Sequence, residues 1–307
     1  MQSLLPAQMN ELEAHFRVIR LWKERDPEAT IQEERERIEG ILSTYNATRV
    51  SESLIEALPN LGIIAQFGVG VNNIDVAAAA KRGVAVTYTP DVLTNDTADI
   101  AVSLVLALAR RIVEGDMYVR VGKWQGGPLP LGTTLSGKTA GILGLGRIGQ
   151  AIAKRLSAFE MEVVYHGRRE KPEQPYQYYA DLEEMARASD FLVVACSGGE
   201  ETKNLVNYKV LEAMGPKGYL VNIARGSVVD EEDLLIVLRN KGIAGAGLDV
   251  FANEPHVPEA LLTMDNVVLL PHIGSATVET RTRMGQLVVR NLLAYFNGEE
   301  LLTPYRE

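Results

Sequence analysis

A chain of 307 residues, 46% hydrophobic and 23% charged, has the composition of a globular protein of one large or two smaller domains. Its net charge of −9 argues against nucleic acid or an anionic membrane as the main partner, while leaving room for a local basic site that takes a small anion. One cysteine, Cys196, excludes an intramolecular disulfide and a cysteine-built metal cluster, and the four histidines (His15, His166, His256, His272) lack close metal-ligand spacing, so no metal is expected.

The opening MQSLLPAQMNELEAHF lacks a basic start followed by a long apolar run, and the apolar stretch 100–108 is too short to span a membrane. A cytoplasmic location is the resulting expectation. FRVIRLW (16–22) and IEGILSTY (38–45) read as strands, separated by a charged helical stretch from Pro27 to Arg37. SLIEALPN (53–60) reads as a helix, LGIIAQFG (61–68) as a strand, IDVAAAAKRG (74–83) as a helix ended by glycine, and VAVTYTP (84–90) as a strand. Repeated strand–helix–strand units predict a parallel sheet covered on both faces.

The rhythm then changes. The stretch from Thr97 to Tyr118 has no proline and a single glycine, which predicts one long helix. The following VGKWQGGPLPLGTTLSGK is too long for a tight turn and predicts a crossing arm or lid. From Thr139 a second series begins. TAGILGLG, MEVVYHG, DFLVVAC, GYLVNIA, GAGLDVF and NVVLLPH are strand candidates, with helices such as RIGQAIAKRLSAF, DLEEMARAS and DEEDLLIVLRNKG between them. The last helical stretch, ETRTRMGQLVVRNLLAYFNG, is expected to pack back on the first domain. The fold class is therefore α/β, with two doubly wound parallel-sheet domains and a cleft between them.

Gly144, Gly146 and Gly149 in GLGRIG match G-x-G-x-x-G where the motif has to lie, between a strand and a helix. The first glycine makes the tight turn, the second lets the backbone approach a pyrophosphate, and the third permits close helix–strand packing. The free N–H groups of the helix start then face the anion. The alternative is a glycine-rich turn with a purely structural role. The next strand ends in Tyr165-His166-Gly167-Arg168-Arg169, where an acid would bind the ribose hydroxyls of NAD and repel a 2′-phosphate. Gly167 removes that repulsion, and Arg168 offers a bidentate fork to a phosphate, with Arg169 in support. NADP (as NADPH) is expected over NAD, the weaker alternative. Two solvated arginines, or a pairing with Glu170, is the competing reading.

Three polar groups follow buried-looking strands: Arg225 in VNIARGS, Glu254 in GLDVFANEP and His272 in VVLLPHIGSAT. Parallel strands bring all three to the carboxyl edge, where ligands bind in open α/β sheets.

The stretches GVGVNNID (68–75), TADIAVSLVLALAR (97–110), GKTAGILGLGRIG (137–149), VNIARGSVVDEEDL (221–234), GLDVFANEP (247–255) and PHIGSAT (271–277) resemble, in order and spacing, the D-isomer-specific 2-hydroxyacid dehydrogenases. Within that family VVYHGRR and VVLLPHIGSATVETR are most similar to the NADP-using glyoxylate/hydroxypyruvate reductases. The resemblance implies a flavodoxin-like substrate-binding domain of residues 1–97 plus 285–307 and a Rossmann NADP-binding domain of residues 98–284. It implies NADPH-dependent reduction of small 2-oxo acids, and a homodimer formed through the long helix and its arm. Arg225 would grip the substrate, His272 would donate the proton, and Glu254 would fix the imidazole tautomer. The backbone at Val69 and Gly70 would receive the carboxylate, with Ser275 either touching substrate or capping a turn.

Further cofactor contacts carried over by resemblance are Thr97, Arg147, Ile148, Cys196, Ala224, Asp249, Gly274 and His272 itself. Ile148 also reads as core, and Asp249 as a buried acid satisfying nearby backbone. Two departures from the family pattern stand out. Asn72-Asn73 replaces a common Asp-Asn, and the run from Cys196 to Gly199 replaces a common His-x-Pro, which puts contacts there in doubt. Larger substrates (2-ketogluconate, phenylpyruvate) form an alternative within the class. A dinucleotide-sensing corepressor is one outside it. Trp124 reads equally as a wall of the pocket or as packing in a dimer arm.

Overall fold

The computed structural model describes residues 4–44 and 49–306. Tyr45, which ends the expected strand 38–45, and the first three residues of the N-terminal stretch lie outside them. The chain folds into two compact units, Met1–Leu93 with Ser275–Glu307, and Thr94–Gly274.

The first unit opens with helix α1 (Pro6–His15) and helix α2 (Pro27–Glu34), the latter capped by the Asp26 side chain on Ala29 N. Strand β1 (Gly40–Thr44), helix α3 (Glu52–Ala57), strand β2 (Ile63–Phe67), helix α4 (Val76–Lys81) and strand β3 (Ala85–Thr87) follow. The three strands form one parallel sheet in the order β1-β2-β3. All five residues of β2 are buried, as a central strand covered on both faces requires. Phe16 to Trp22 is not a strand. It runs as irregular chain into a short 3-10 turn at Leu21–Lys23. None of its residues is buried, and Arg17 and Arg20 are tied to Glu34 and Glu13 at the surface, so the apolar alternation has no sheet to face.

The second unit opens with helix α5 (Thr94–Ala109) and helix α6 (Ile112–Arg120) in place of the single helix expected. The break is at Arg111, which takes a left-handed conformation with φ 53°. The Ala109 carbonyl, which would have continued the helix, accepts instead from Thr133 N of the returning arm at 2.7 Å. The remaining elements are β4 (Thr139–Leu143), α7 (Arg147–Ala158), β5 (Glu162–His166), β6 (Gln177–Tyr179), α8 (Leu182–Ala188), β7 (Phe191–Val194), α9 (Tyr208–Met214), β8 (Tyr219–Asn222), α10 (Glu231–Arg239), β9 (Gly245–Leu248), α11 (Glu259–Leu262) and β10 (Val267–Leu269). Only β6, a three-residue edge strand with no strand-like pattern, lacks a counterpart in the strands expected from sequence.

Seven parallel strands lie in the order β10-β9-β8-β7-β4-β5-β6. Ile142, Phe191, Val193 and Val221 point to one face, where Ala101 and Val105 of α5 and Ile152 of α7 cover them. Leu143, Leu192, Val194 and Leu220 point to the other, beneath Met185 of α8, Leu211 of α9 and Leu234 of α10. The order reverses at β4, from which the chain moves first to β5 and β6 and later to β7. That reversal opens a crevice at the carboxyl ends. Gly144, Gly167, Cys196, Arg225 and His272 all follow strands on this edge.

The chain returns to the first unit through helix α12 (Val278–Phe296), capped by Thr277 on Thr280 N and packed on β2. Both unit boundaries fall earlier than the 97/98 and 284/285 expected. The cause is that α5 already starts at Thr94, and the whole of α12 belongs to the first unit. No helix among the described residues is long and apolar enough to cross a membrane.

Candidate active site

The glycine turn has the shape its spacing predicts. Gly144 has φ 98°, and a Cβ there would stand 2.5 Å from the Cys196 Cα. A Cβ on Gly149 would stand 2.1 Å from the Gly144 carbonyl oxygen, so α7 and β4 pack too closely for any side chain at that point. Around Gly146 there is open space, and this residue caps α7 without a side-chain hydrogen bond. The amides of the first turn thus stay available to an anion from outside. Ile148 is half-buried against the core and Arg147 is exposed at the helix start.

At the end of the next strand, β5, the ribose end is equally open. A Cβ on Gly167 would meet nothing within 4 Å, and the Gly167 carbonyl accepts from Tyr178 Oη at 3.1 Å. Arg168 and Arg169 are exposed, and neither Glu170 nor any other acid among the described residues lies within ion-pairing distance of them. Lys171, for which the sequence held no signal, donates from Nζ to the Leu145 carbonyl at 2.8 Å and so ties the ribose end to the glycine turn. These features fit a dinucleotide: a tight turn, uncapped amides, and two unpaired guanidinium groups beside a residue without a side chain.

The chemistry-bearing groups sit on the neighbouring strand ends. His272 Nδ1 and Glu254 Oε2 are 2.7 Å apart, both side chains about one-fifth exposed. Glu254 Oε1 accepts from Phe251 N at 3.1 Å, which fixes the carboxylate in turn. His272 has φ 54°, a left-handed conformation that costs a non-glycine residue about 1–2 kcal/mol. Asp249 holds the strained turn in place, its two carboxylate oxygens accepting from Ile273 N at 2.7 Å and Gly274 N at 2.8 Å. Asp249 is 1% exposed, and burial pushes its carboxyl up from the ordinary value, opposed by those two donors and by His272. A Cβ on Gly274 would stand 3.1 Å from Asp249 Oδ2 and 3.3 Å from Thr97 Cγ2, so Thr97, Asp249 and Gly274 form one packed cluster.

Arg225 has extended backbone and donates from Nη1 to the Ala224 carbonyl at 2.6 Å. Three residues hold it, of which Asn222 and Gly226 were not singled out from the sequence. Buried Asn222 accepts from Ala224 N, donates to the Arg225 carbonyl, and through its own carbonyl takes Asp249 N, each at 3.0 Å. A Cβ on Gly198 would stand 2.7 Å from Arg225 Cγ, so the glycine lies flat against the arginine stem. A Cβ on Gly226 would stand 1.9 Å from the Phe251 carbonyl carbon, which locks the Arg225 loop to the loop that carries Glu254. The run from Cys196 to Gly199, a departure from the family pattern, thus has a packing role at Gly198. Cys196 itself is half-buried, and burial pushes its thiol up to about 11.

Val69, Gly70 and Ser275 belong to the first unit. Val69 and Gly70 are half-buried in the loop after β2, and the Gly70 carbonyl accepts from Gln66 Nε2 at 2.9 Å. The Ser275 carbonyl accepts from Thr277 N at 3.0 Å, and Thr277, not Ser275, caps α12.

Residues 102–274 match the family model described as "D-isomer specific 2-hydroxyacid dehydrogenase, NAD binding domain". Over 295 residues the chain is 48% identical to glyoxylate/hydroxypyruvate reductase A HPR2 of Arabidopsis thaliana, covering 96% of this chain and 94% of that one. It is 49% identical over 263 residues to 2-ketogluconate reductase of Gluconobacter oxydans, covering 86% and 85%. The crystal structure of the NADPH-dependent glyoxylate/hydroxypyruvate reductase of Sinorhizobium meliloti, in complex with NADP and malonate, superposes with a TM-score of 0.89 at 43% identity, covering 99% and 94%. The chain therefore belongs to the D-isomer-specific 2-hydroxyacid dehydrogenase family and carries its NAD-binding domain.

Proposed function

We propose that the protein reduces small 2-oxo acids, glyoxylate and hydroxypyruvate among them, to the corresponding D-2-hydroxy acids at the expense of NADPH. The observation that carries the reading is the 2.7 Å His272–Glu254 contact on the same sheet edge as Arg225 and the glycine turn. When bound, NADPH supplies the hydride taken up by the carbonyl carbon. The second unit would hold it through Gly144, Gly146 and Gly149 at the pyrophosphate and through Arg168 and Arg169 at the 2′-phosphate, and Thr97 and Asp249 would belong to the nicotinamide end. NAD is the weaker cofactor because no acid stands at Gly167.

Arg225 orients the 2-oxo acid through its planar, always-charged fork. Glu254 engages His272 Nδ1, which fixes the ring orientation and leaves Nε2 for proton transfer. His272 then gives its proton to the carbonyl oxygen, completing the change from carbonyl to alcohol. The first unit receives the carboxylate at Val69 and Gly70. A homodimer and a cytoplasmic location, where NADPH is kept reduced, belong to the same proposal. It is supported by the similarity to the Arabidopsis and Sinorhizobium reductases, and the likeness to a 2-ketogluconate reductase favours trying larger 2-oxo acids as well.

The test is NADPH and NADH oxidation by purified protein across glyoxylate, hydroxypyruvate, 2-ketogluconate and phenylpyruvate, for wild type and His272→Ala. Faster turnover with NADPH than with NADH on the two small acids is expected. The His272→Ala variant should lose about 100- to 10,000-fold in turnover while still binding NADPH. Equal rates with the two cofactors would remove the NADP assignment, and an unimpaired His272→Ala would remove the proton donor.

A further inference from the structure

We infer that Arg281, a residue outside the Arg225, Glu254 and His272 set, is a positioning charge for the substrate carboxylate in the first unit. The inference deepens the reading above and rests on it for the identity of the anion. Arg281 is the fourth residue of α12 and only 9% exposed. Its Nε and Nη2 are buried and find no hydrogen-bond acceptor among the described residues. Its Cζ lies 5.3 Å from the centroid of the Phe67 ring. Buried guanidinium groups are ordinarily paired with acceptors, because leaving their donors unmet in a dry environment is costly. A cation–π contact with one phenyl ring offsets only part of that cost. Two donors that point at nothing thus mark a place where the protein keeps a positive charge for something else.

The place is specific. Phe67 ends β2, and residues 68–71 are the loop that follows at the carboxyl end of that strand. Three of the four carbonyls of this loop already accept within the unit. Gly68 O accepts from Thr89 N at 2.9 Å, Gly70 O from Gln66 Nε2 at 2.9 Å, and Val71 O from Ile74 N at 2.8 Å. Gln66 is itself fully buried and is further anchored to Asn73 at 3.0 Å. With those three carbonyls engaged inside the unit, the N–H groups of the loop are what it can offer an anion. A second source of positive potential is the start of α12, a 19-residue helix three residues before Arg281. A buried cation, a helix start and an amide-presenting loop all favour an anion. In the low-dielectric interior, Arg281 attracts a carboxylate at the loop without having to touch it. Arg281 is therefore a positioning residue: it governs how tightly the carboxylate is held, while Arg225 and His272 govern what happens at the carbonyl.

The experiment uses the full chain with Arg281→Met, Arg281→Gln and Arg281→Lys. It reads glyoxylate KM and kcat with NADPH and, separately, the rise in melting temperature caused by oxalate. We expect KM to rise at least tenfold in the two neutral variants with kcat within twofold of wild type. Arg281→Lys should recover most of the loss, and the oxalate-induced rise should shrink in the neutral variants only. Folded neutral variants with wild-type KM and an unchanged oxalate response would overturn the inference, as would a fall in kcat alone. Failure of both neutral variants to fold while Arg281→Lys folds would make the charge structural, and would overturn it equally. If the wild type reduces no 2-oxo acid, the proposed function fails and the oxalate arm still decides the role of Arg281. Absence of any oxalate response in the wild type counts against the inference.

Discussion

Four glycines on the carboxyl edge of the seven-stranded sheet have unequal tolerances, and the difference separates structure from selectivity. Gly144 and Gly149 have backbone atoms within 2.5 Å of where a Cβ would sit, whereas Gly146 and Gly167 face open space. An acid is therefore sterically admissible at 167, where the backbone is also in an ordinary conformation. If Arg168 binds the 2′-phosphate as proposed, the double variant Gly167→Asp with Arg168→Ala would remove a charge-assisted contact of about 1.5–3 kcal/mol and add an acceptor for the ribose hydroxyls. The NADPH/NADH ratio of kcat/KM should fall by about 10- to 150-fold, with the melting temperature unchanged within about 2 °C. A ratio that stays where it was would show that selection lies elsewhere. The identities at this edge were legible from residue types alone: an arginine, a glutamate and a histidine after buried strands, and two arginines where an acid was due. The left-handed backbone of His272 and the bonds by which Asp249 holds it were not. They depend on how a loop closes over a strand end, which no local pattern encodes.

Elements were legible where burial and periodicity coincide, as in β7, whose run FLVV is wholly buried. They were misread where tertiary contacts override local preference. The sequence 97–118 contains helix formers throughout, yet the helix breaks at Arg111 because a distant amide, Thr133 N, claims the Ala109 carbonyl. FRVIRLW alternates like a strand, yet its arginines find acids on α1 and α2 and no neighbouring strand takes it up. The contact between α7 and β4 is where the glycine motif acts as an element-level device. Gly149→Ala must push α7 away from the Gly144 carbonyl, an overpacking that costs about 1–3 kcal/mol, so melting temperature and NADPH affinity should fall together. Gly146→Ala, placed in open space, should weaken NADPH binding with little loss of stability. The pair is checked by thermal melts and NADPH fluorescence titration. Equal destabilisation by both variants would contradict the assignment of Gly146 to pyrophosphate access.

At the scale of the whole molecule, the apolar surface of α6 and the arm after it is unlike the rest of the second unit. No residue of α6 is buried, yet Val113, Met117 and Val121 recur at four-residue spacing and are each more than half exposed. Ile112 and Val119, on another side of the helix, are exposed as well, Trp124 is 67% exposed, and Leu131 is 96% exposed. Charged residues of the same helix are paired, Asp116 with Arg120 at 2.7 Å and Glu114 with Arg111, just before the helix, at 2.5 Å, so these charges are not spread over the apolar stripe. Monomers seldom leave a contiguous apolar patch of this kind in water. A second copy of the chain, presenting the same stripe across a two-fold axis, would cover it, and would give Trp124 a packing role. The expected outcome is a dimer at micromolar concentration by light scattering, converted to a folded monomer by Val113→Asp with Met117→Asp. Two buried carboxylates per copy facing the same two on the partner cannot be accommodated in an apolar contact. A wild-type monomer at that concentration, or a double variant that remains dimeric, would remove α6 as the interface. Retention of NADPH binding by the monomeric variant is expected as well, because the glycine turn, Gly167 and Arg168 all come from one chain.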